Sequence, residues 1–345
     1  MRDILISENI CGPAVDALSS RFDTTFLPEL WKDAAELSNR ISDFRALIVR
    51  NQTQVTAALL ANGKKLLVVG RAGTGLDNVD VAAATRAGIL ITSTPDQNAI
   101  SVAELAMGLI LSLARRIPTA NQDTKDGNWN RHRFLGIELY GKTIGIVGAG
   151  KIGFLTARRA QSFGMRVLAY DPFISRDSIL LSELNAELVS LEDLLSRADV
   201  VSCHLPATPQ TKNLLNAECF GRMKSTAMFI NTSRGEVVVE NDLLDALKFG
   251  KIAGAAMDVR TAEPPQAGEL EGLPNLILTP HVAAFTHEAQ DRVTKAICED
   301  IAQVLDGKPA QNAVNKVRAV DVKNRRRLRL QGTRGKVALS LPRLR

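Results

Sequence analysis

The sequence predicts an α/β protein built from two doubly wound parallel sheets. Short apolar runs alternate with helical patterns along most of the 345 residues. These runs are continuously apolar and do not alternate between apolar and polar, which is typical of parallel strands covered by helices on both faces. The length of the chain allows two domains of ordinary size, each with its own core.

The first alternation extends from residue 3 to residue 95. Four strands are predicted, in "DILIS", "ALIVR", "LLVVGRAG" and "GILITSTP". Three helices are predicted between them, in "CGPAVDALSSRF", "TAALLANG" and "DVAAATRAG". Gly63 and Gly88 lie where two of these helices are expected to end, because glycine readily follows a helix C-terminus.

A second alternation begins at "KTIGIVGAG", residues 142–150. Five further strand candidates follow, in "MRVLAYD", "VVSCHL", "AMFINTS", "IAGAAMDV" and "NLILTPH". Six strands separated by helical segments are enough for a complete doubly wound domain.

Two further helices set the expected domain boundaries. The segment "SVAELAMGLILSLARRIP" (101–118) is apolar on nearly every face, so it is expected to be buried all round and to contribute to a subunit interface. The helix predicted over 286–307, with Thr286 as its N-cap and Gly307 at its end, returns the chain to the first domain. The expected boundaries are 1–97 with 286–315 for the first domain and 98–285 for the second.

The overall composition is that of a soluble globular protein, with 45% hydrophobic and 23% charged residues. No run of uncharged apolar residues reaches the roughly 18 that a membrane span requires. The N-terminal stretch "MRDILISENI" lacks the apolar core of a signal peptide. The four cysteines show no metal-ligand spacing and are expected to be reduced thiols. These observations favour a cytoplasmic protein without a metal site.

The net charge of +6 is unevenly distributed. Residues 316–345 contain eleven Lys or Arg and one acidic residue, whereas the preceding 315 residues contain 32 basic and 36 acidic residues. The folded body is therefore mildly acidic. The basic tail is expected to be a solvated, disordered extension, and contact with nucleic acid or an anionic surface is the less favoured alternative.

A glycine-rich motif opens the second alternation. In "TIGIVGAGKIG", Gly148, Gly150 and Gly153 follow an apolar run and precede a helical pattern. Such glycines allow a tight turn and bring a pyrophosphate to the helix N-terminus. Asp171 stands 18 residues after Gly153, at the end of "MRVLAY". A carboxylate there accepts hydrogen bonds from a ribose 2′-hydroxyl and repels a 2′-phosphate, which favours NAD over NADP.

Three chemically useful side chains follow later strands of the same domain. Arg234 follows "FINTS", Glu263 lies shortly after "AAMDV", and His281 ends "NLILTPH". The carboxyl ends of the strands line the ligand site of a doubly wound sheet, so these residues are expected to converge. A nicotinamide enzyme acting on an alcohol needs a cation for the substrate, a proton carrier, and a group that orients that carrier. Each residue alone has an ordinary structural explanation, as a turn cap, a solvated loop carboxylate or a packed histidine.

The motifs "RAGTGLDNVD", "GKTIGIVGAGKIG", "INTSRGEVV", "AAMDV", "AEPP" and "TPHVAA" resemble those of the D-isomer-specific 2-hydroxyacid dehydrogenase family, and most of all its 3-phosphoglycerate dehydrogenase branch. The resemblance extends from about residue 3 to residue 315. It implies a flavodoxin-like substrate domain, a Rossmann NAD domain and a cleft between them. It further implies that Arg234, Glu263 and His281 form the catalytic set, with His281 as the acid/base.

The resemblance also implies the binding residues. Asp258 would hold the nicotinamide amide, and the backbone around Arg71–Gly75 would cradle the substrate carboxylate. The full set of implied NAD-binding residues is Gly148, Gly150, Lys151, Ile152, Gly153, Asp171, Pro206, Thr232, Asp258 and Thr74. The implied substrate-binding residues are Arg50, Arg71, Gly73, Asn98 and Arg131, with three arginines facing a phosphate.

The expected substrate pair is 3-phosphoglycerate and phosphohydroxypyruvate, a step of serine biosynthesis. Two departures from the branch keep alternatives open. The stretch "VAAFT" stands where the branch has one resembling "LGAST", so Ala283 and Phe285 could favour glyoxylate, hydroxypyruvate or another 2-keto acid. The basic tail stands where longer members continue into C-terminal regulatory domains, so feedback through such a domain is not expected. An NAD-sensing, corepressor-like binding protein is the alternative from a different functional class. A homodimer is expected, with no membrane partner and no nucleic-acid partner.

Overall fold

The computed structural model describes residues 2–175 and 182–317. Most of the predicted basic tail, 318–345, lies outside the described residues, so its expected disorder stays a prediction. The chain divides into two compact units. The first contains residues up to Asn98 and those from His287 onward, and the second contains Ala99–Thr286. Each unit is built around one sheet.

The strands of the described residues all pair in parallel within their sheets. In the first unit they are β1 (Ile4–Ile6), β2 (Thr24–Phe26), β3 (Ala46–Val49), β4 (Val68–Arg71) and β5 (Leu90–Thr92). In the second unit they are β6 (Thr143–Val147), β7 (Arg166–Tyr170), β8 (Glu187–Leu188), β9 (Val200–Cys203), β10 (Met228–Asn231), β11 (Gly254–Met257) and β12 (Leu276–Leu278).

The α-helices of the described residues alternate with these strands. They are α1 (Pro13–Ser19), α2 (Ala34–Arg40), α3 (Ala57–Asn62), α4 (Val81–Arg86), α5 (Ala99–Ala114), α6 (Ile117–Lys125), α7 (Lys151–Ser162), α8 (Leu191–Arg197), α9 (Ala217–Arg222), α10 (Glu240–Lys248) and α11 (His287–Asp306). None of them is long and apolar enough to cross a bilayer.

The first sheet has the order β2-β1-β3-β4-β5. The four predicted strands are present, and α3 and α4 end next to Gly63 and Gly88 as expected. Strand β2 was not predicted, because its residues "TTF" are only partly buried at the sheet edge. An edge strand needs less apolar sequence than a central one, which explains why its pattern was weak.

The last helix, α11, packs on the first sheet. A Cβ added to Gly70 of β4 would lie 2.8 Å from Ile297 Cγ1 and 3.1 Å from Ile301 Cδ1. Both isoleucines are fully buried. A glycine in β4 thus lets the helix approach the strand closely, and α11 completes one face of the first unit.

The second sheet has the order β12-β11-β10-β9-β6-β7-β8. All six predicted strands are present, and the two-residue edge strand β8 was missed. Buried apolar side chains cover both faces of this sheet. The predicted fold class, α/β with two doubly wound parallel sheets, is therefore confirmed.

The segment predicted as one helix over 101–118 divides into two. Helix α5 ends at Ala114, and Arg116 adopts a left-handed backbone conformation (φ 53°) before α6 begins. The burial of α5 is also less complete than expected, because Ile100, Glu104 and Gly108 are exposed at intervals of four residues. One narrow stripe of the helix therefore faces solvent in this unit.

Candidate active site

Six strands of the second sheet end in register. Pairing joins Val147 to Tyr170 and Cys203, and continues through Asn231 and Met257 to Leu278. The residues that immediately follow these ends are Gly148, Asp171, His204, Thr232, Asp258 and Thr279. Six positions from distant parts of the sequence thus lie along one edge of the sheet.

The glycine-rich turn lies where the strand order reverses, between β6 and β9. Gly148 has a φ of 93°, and a Cβ there would lie 3.0 Å from the carbonyl group of His204. A Cβ on Gly153 would lie 2.2 Å from the carbonyl oxygen of Gly148. A Cβ on Gly150 would meet nothing within 4 Å. Two of the glycines thus permit close packing, whereas the third leaves open space beside the backbone.

This open space is suited to a dinucleotide pyrophosphate. It adjoins the N-terminus of α7, where no side chain caps the backbone N–H groups of the first turn. The first two residues of α7, Lys151 and Ile152, are exposed and half-buried. Asp171 accepts hydrogen bonds from the backbone N–H groups of Ala149 (3.0 Å) and Phe173 (2.9 Å). The turn and the carboxylate are thereby held together as a nucleotide site requires.

The remaining implied NAD-binding residues differ in their surroundings. Thr232 follows β10 and is buried, and its hydroxyl has no hydrogen-bond partner within the described residues. Pro206 is exposed, and its carbonyl accepts from Thr211 Oγ1 at 2.6 Å. Thr74 belongs to the first unit, where its hydroxyl donates to the carbonyl of Thr94 (3.2 Å).

His281 and Glu263 form a hydrogen-bonded pair in the second unit. His281 Nδ1 lies 2.6 Å from Glu263 Oε2. This bond raises the pKa of His281 above its ordinary value, against the opposing effect of burial. Burial alone would raise the pKa of Glu263, but the bond to His281 and the backbone N–H of Arg260 outweigh it and lower that pKa. The pair therefore favours an imidazolium beside a carboxylate.

Arg234 follows β10 in a loop that is fixed by its own neighbours. Asn231 Nδ2 donates to the carbonyl of Arg234 (2.9 Å), and Asn231 Oδ1 accepts from both the backbone and the hydroxyl of Ser233. Arg234 Nη1 donates to the carbonyl of Ser233 (2.7 Å). The positive charge of Arg234 acts on the pKa values of both His281 and Glu263. The three predicted catalytic residues are thus brought within electrostatic reach of one another.

Asp258 holds the loop that carries His281. Its buried carboxylate accepts from Thr279 Oγ1 (2.6 Å) and from the backbone N–H groups of Val282 (2.9 Å) and Ala283 (2.8 Å). His281 itself has a φ of 54° and donates its backbone N–H to the carbonyl of Asp258 at 2.8 Å. Asp258 therefore has a positioning task that the sequence analysis did not foresee, and its contact with a nicotinamide amide stays a prediction.

His204 is a second histidine at the same edge of the sheet. Burial lowers the pKa of His204 to about 4. Its Nε2 lies 2.9 Å from Ser202 Oγ. At neutral pH the imidazole of His204 is therefore expected to be uncharged.

In the first unit, Arg50 and Arg71 lie on neighbouring strand ends. Arg71 pairs in register with Val49, and Arg50 directly follows Val49. Buried Glu8 accepts from the backbone N–H groups of Arg50 (2.7 Å) and Thr53 (3.0 Å). Burial lowers the pKa of Arg50, and its buried Nε donates no hydrogen bond within the described residues. A cation in such surroundings is suited to an anionic ligand.

The other implied substrate-binding residues lie in both units. In the first unit, Gly73 has a φ of 145° and contacts the Arg71 side chain so closely that a Cβ there would lie 1.7 Å from Arg71 Nη1. Asn98 Oδ1 lies 3.3 Å from the Thr74 hydroxyl in the same unit. Arg131 begins a short 3₁₀ helix of the second unit, where it is exposed. Among the described residues, no group of His, Cys, Asp and Glu is arranged to hold a metal ion.

Comparison with known proteins agrees with this geometry. Residues 107–283 match the family model described as D-isomer specific 2-hydroxyacid dehydrogenase, NAD binding domain. The chain belongs to this family. The second unit accordingly contains the NAD-binding domain of this family, and the resemblance found in the motifs is confirmed.

Relatives and solved structures extend the likeness over most of the chain. D-3-phosphoglycerate dehydrogenase from Synechocystis sp. is 42% identical over 315 residues, which is 91% of this chain and 56% of that protein. The chain thus spans little more than half the length of this relative. The TT0316 protein from Thermus thermophilus has a TM-score of 0.85 and 34% identity, covering 91% of this chain and all of that one. A glyoxylate reductase from Paecilomyes thermophila has a TM-score of 0.81 and 28% identity over 91% of this chain and 98% of its own.

Gly150 and Gly153 have different surroundings, so substitution by alanine should affect NADH binding at one position and stability at the other. Gly150→Ala places a methyl group in open space, so the fold should be unchanged while NADH binding weakens by about tenfold, the cost of one lost charge-assisted hydrogen bond. Gly153→Ala forces a methyl group against Gly148 and should lower the melting temperature instead. Thermal unfolding and NADH fluorescence titration measure the two effects. A Gly150→Ala protein that binds NADH as tightly as the unaltered chain would contradict the assignment of the pyrophosphate site.

Proposed function

We propose that this protein is an NAD-dependent oxidoreductase that interconverts a D-2-hydroxy acid and its 2-keto acid, with 3-phosphoglycerate and phosphohydroxypyruvate of serine biosynthesis as the substrate pair. The observation that carries the proposal is the pair of His281 and Glu263 beside Arg234, in a domain of the D-2-hydroxyacid dehydrogenase family. The relatives named phosphoglycerate dehydrogenase support the choice of substrate.

In the proposed mechanism, His281 exchanges the proton of the substrate hydroxyl. Glu263 accepts from Nδ1–H, which leaves Nε2 free to take the hydroxyl proton during oxidation or to return it during reduction. The nicotinamide, when bound, accepts or supplies the hydride. Glu263 stabilises the imidazolium that forms. Arg234 binds the carboxylate or carbonyl oxygens of the substrate with its planar guanidinium.

The preference for a phosphorylated substrate is assigned to arginines. Arg50 and Arg71 are proposed to bind the distal phosphate, together with Arg131. The support is that Arg50 is partly buried with an Nε that no hydrogen bond uses within the described residues, so an anion would relieve its desolvation. A phosphate dianion satisfies a guanidinium fork better than a methyl or hydroxymethyl group can.

A glyoxylate or hydroxypyruvate reductase is the second candidate. It is supported by the likeness to the glyoxylate reductase and by Phe285, which lies four residues after His281 and is 67% exposed. A bulky apolar side chain so close to the proposed acid/base in sequence would favour a smaller or less charged substrate.

The protein is proposed to be a cytoplasmic homodimer. The dimer is supported by large apolar side chains exposed around α5, α6 and the segment after them, including Ile117, Trp129, Leu135 and Tyr140. Several large apolar side chains exposed in one part of the sequence are consistent with a protein interface. The cytoplasm is supported by four cysteines that are all free thiols.

Substitution of one exposed apolar residue tests the dimer. Leu135→Glu places a charge in the proposed interface, where Leu135 is 81% exposed in the single chain, and should shift the protein from dimer to monomer. Sedimentation velocity measures the mass. Phe249→Glu is the matched control, because Phe249 is 74% exposed elsewhere in the same unit. A wild-type protein that sediments as a monomer would refute the proposal.

The pH dependence of reduction tests the pair of His281 and Glu263. Reduction requires the imidazolium, and the raised pKa of His281 keeps that form populated to higher pH. Glu263→Gln removes the largest cause of the raised pKa, so the upper pH limit of kcat for reduction should move to lower pH. The control is Glu269→Gln, an exposed carboxylate of the same unit. Identical pH profiles for wild-type and Glu263→Gln proteins would exclude the assigned acid/base pair.

The phosphate preference is tested with two substrates that differ only in that group. Phosphohydroxypyruvate should exceed hydroxypyruvate in kcat/KM, and Arg50→Met should reduce the first value by roughly tenfold or more while changing the second little. NADH oxidation, followed by its absorbance, measures both rates. Arg86→Met is the matched control, because Arg86 is an exposed arginine of the same unit.

Two results would count against phosphate recognition. Equal losses on both substrates would mean that Arg50 supports the fold of the first unit. A wild-type protein with a higher kcat/KM for glyoxylate than for phosphohydroxypyruvate would favour the second candidate.

A further inference from the structure

The side chain of Arg260 is held between two carboxylates in the second unit. Arg260 Nη2 and Nε lie 2.9 Å and 3.2 Å from Glu240 Oε2, and Nη1 lies 2.5 Å from Glu271 Oε1. The side chain is only 12% exposed. Glu240 begins α10, and Glu271 belongs to a short 3₁₀ helix before β12. We call these three residues the Arg260 cluster. It ties the loop after β11 to two separate elements.

The backbone at Arg260 is fixed as firmly as its side chain. Glu240 Oε1 accepts from the backbone N–H of Thr261 at 2.6 Å. A Cβ on Gly235 would lie 2.0 Å from the carbonyl carbon of Arg260 and 2.3 Å from the nitrogen of Thr261. The Arg260–Thr261 peptide is therefore pressed against the residue that follows Arg234. The segment that carries Arg234 and the segment that carries Glu263 are packed together at this point.

This fixed backbone holds the carboxylate of Glu263. The N–H of Arg260 donates to Glu263 Oε1 at 3.0 Å, while the other oxygen of Glu263 lies 2.6 Å from His281 Nδ1. One carboxylate oxygen of Glu263 thus accepts from the backbone, and the other is hydrogen-bonded to the imidazole. A glutamate has three rotatable side-chain bonds, so its orientation toward His281 depends on such a second anchor.

We propose that Arg260 is a positioning residue for the Glu263–His281 pair, acting through the Arg260 cluster and its own backbone N–H. The proposal rests on the proposed function and deepens it. Without the guanidinium, the carboxylates of Glu240 and Glu271 would repel each other across a partly buried space. The loop would then move, and Glu263 would lose the donor that fixes Oε1.

The charged groups that act on the pKa of His281 can be named, so the expected effect of removing Arg260 on this pKa can be stated. Glu263 and Asp258 raise the pKa of His281, and Arg234 lowers it. Arg260 is not among these groups, so we expect its removal to act on His281 mainly through the orientation of Glu263. A loss of orientation weakens the hydrogen bond that is the largest cause of the raised pKa of His281.

Arg260→Met tests the proposal, because it keeps most of the apolar stem of the side chain and removes the charged guanidinium. The pKa of His281 should fall by about 0.5–1 unit, measured by NMR titration of the ring protons in the full chain. With four histidines, the His281 signal can be assigned by its loss in His281→Asn. The upper pH limit of kcat for keto-acid reduction should fall by the same amount, while the Kd for NADH is unchanged.

Matched variants separate positioning from general stability. Arg222→Met is the control, because Arg222 also pairs with two glutamates in this unit, Glu218 at 2.8 Å and Glu192 at 3.7 Å, but is exposed. It should leave the His281 titration unchanged. Arg260→Lys should restore part of the shift, and Glu271→Gln should give a smaller shift in the same direction. If Arg260→Met fails to fold, these two milder variants provide the test.

The outcomes distinguish this proposal from the proposed function. If Arg260→Met and Glu271→Gln lower the melting temperature but leave the His281 titration unchanged, Arg260 is structural only and the proposal is wrong. If the titration shifts as expected while the wild-type protein reduces no 2-keto acid, the positioning is supported and the proposed function fails.

Discussion

The register of the seven-stranded sheet is the constraint on which the second unit depends. Six of its parallel strands pair residue for residue up to their carboxyl ends, so the residues after those ends are spaced along one edge by the roughly 4.8 Å between strands. That register is maintained because β9, β10 and β11 are buried along their whole length. A slip of one residue would turn buried side chains toward the wrong face and separate Asp258 from Thr279. The packing of the core and the geometry of the site therefore depend on the same strand register.

Two kinds of feature could be predicted from the sequence. They are the elements with a clear local pattern and the residues at the carboxyl ends of parallel strands, which line the ligand site of a doubly wound sheet. Buried strands show continuous apolar runs, and their ends were recognisable as positions for Arg234 and His281. The edge strands β2 and β8 were missed because a short strand at an edge needs little apolar sequence. The positioning residues were missed for a different reason. Glu8 accepts from backbone groups 42 to 45 residues away, and no local pattern encodes such a contact.

Two carboxylates five residues apart show how surroundings assign different tasks to one chemical group. Asp258 is buried and accepts from one hydroxyl and two backbone N–H groups, so it is committed to holding the loop of His281. Glu263 is 35% exposed and shares its two oxygens between one backbone N–H and the imidazole. The sequence marks both as carboxylates near a strand end. The difference lies in the donors that the fold brings to each carboxylate. They make Asp258 part of the scaffold and leave Glu263 as the partner of the proposed proton carrier.

The backbone of His281 connects these two tasks. A left-handed conformation at a residue with a Cβ costs about 1–2 kcal/mol, and His281 adopts it with a φ of 54°. The bonds from Val282 and Ala283 to the Asp258 carboxylate, and from the His281 N–H to the Asp258 carbonyl, offset that cost. Asp258 thus fixes the backbone of the histidine while Glu263 fixes its ring. The proposed proton carrier is thus held at its backbone and at its ring, and its pKa depends on neighbours that are themselves positioned by the register of the sheet.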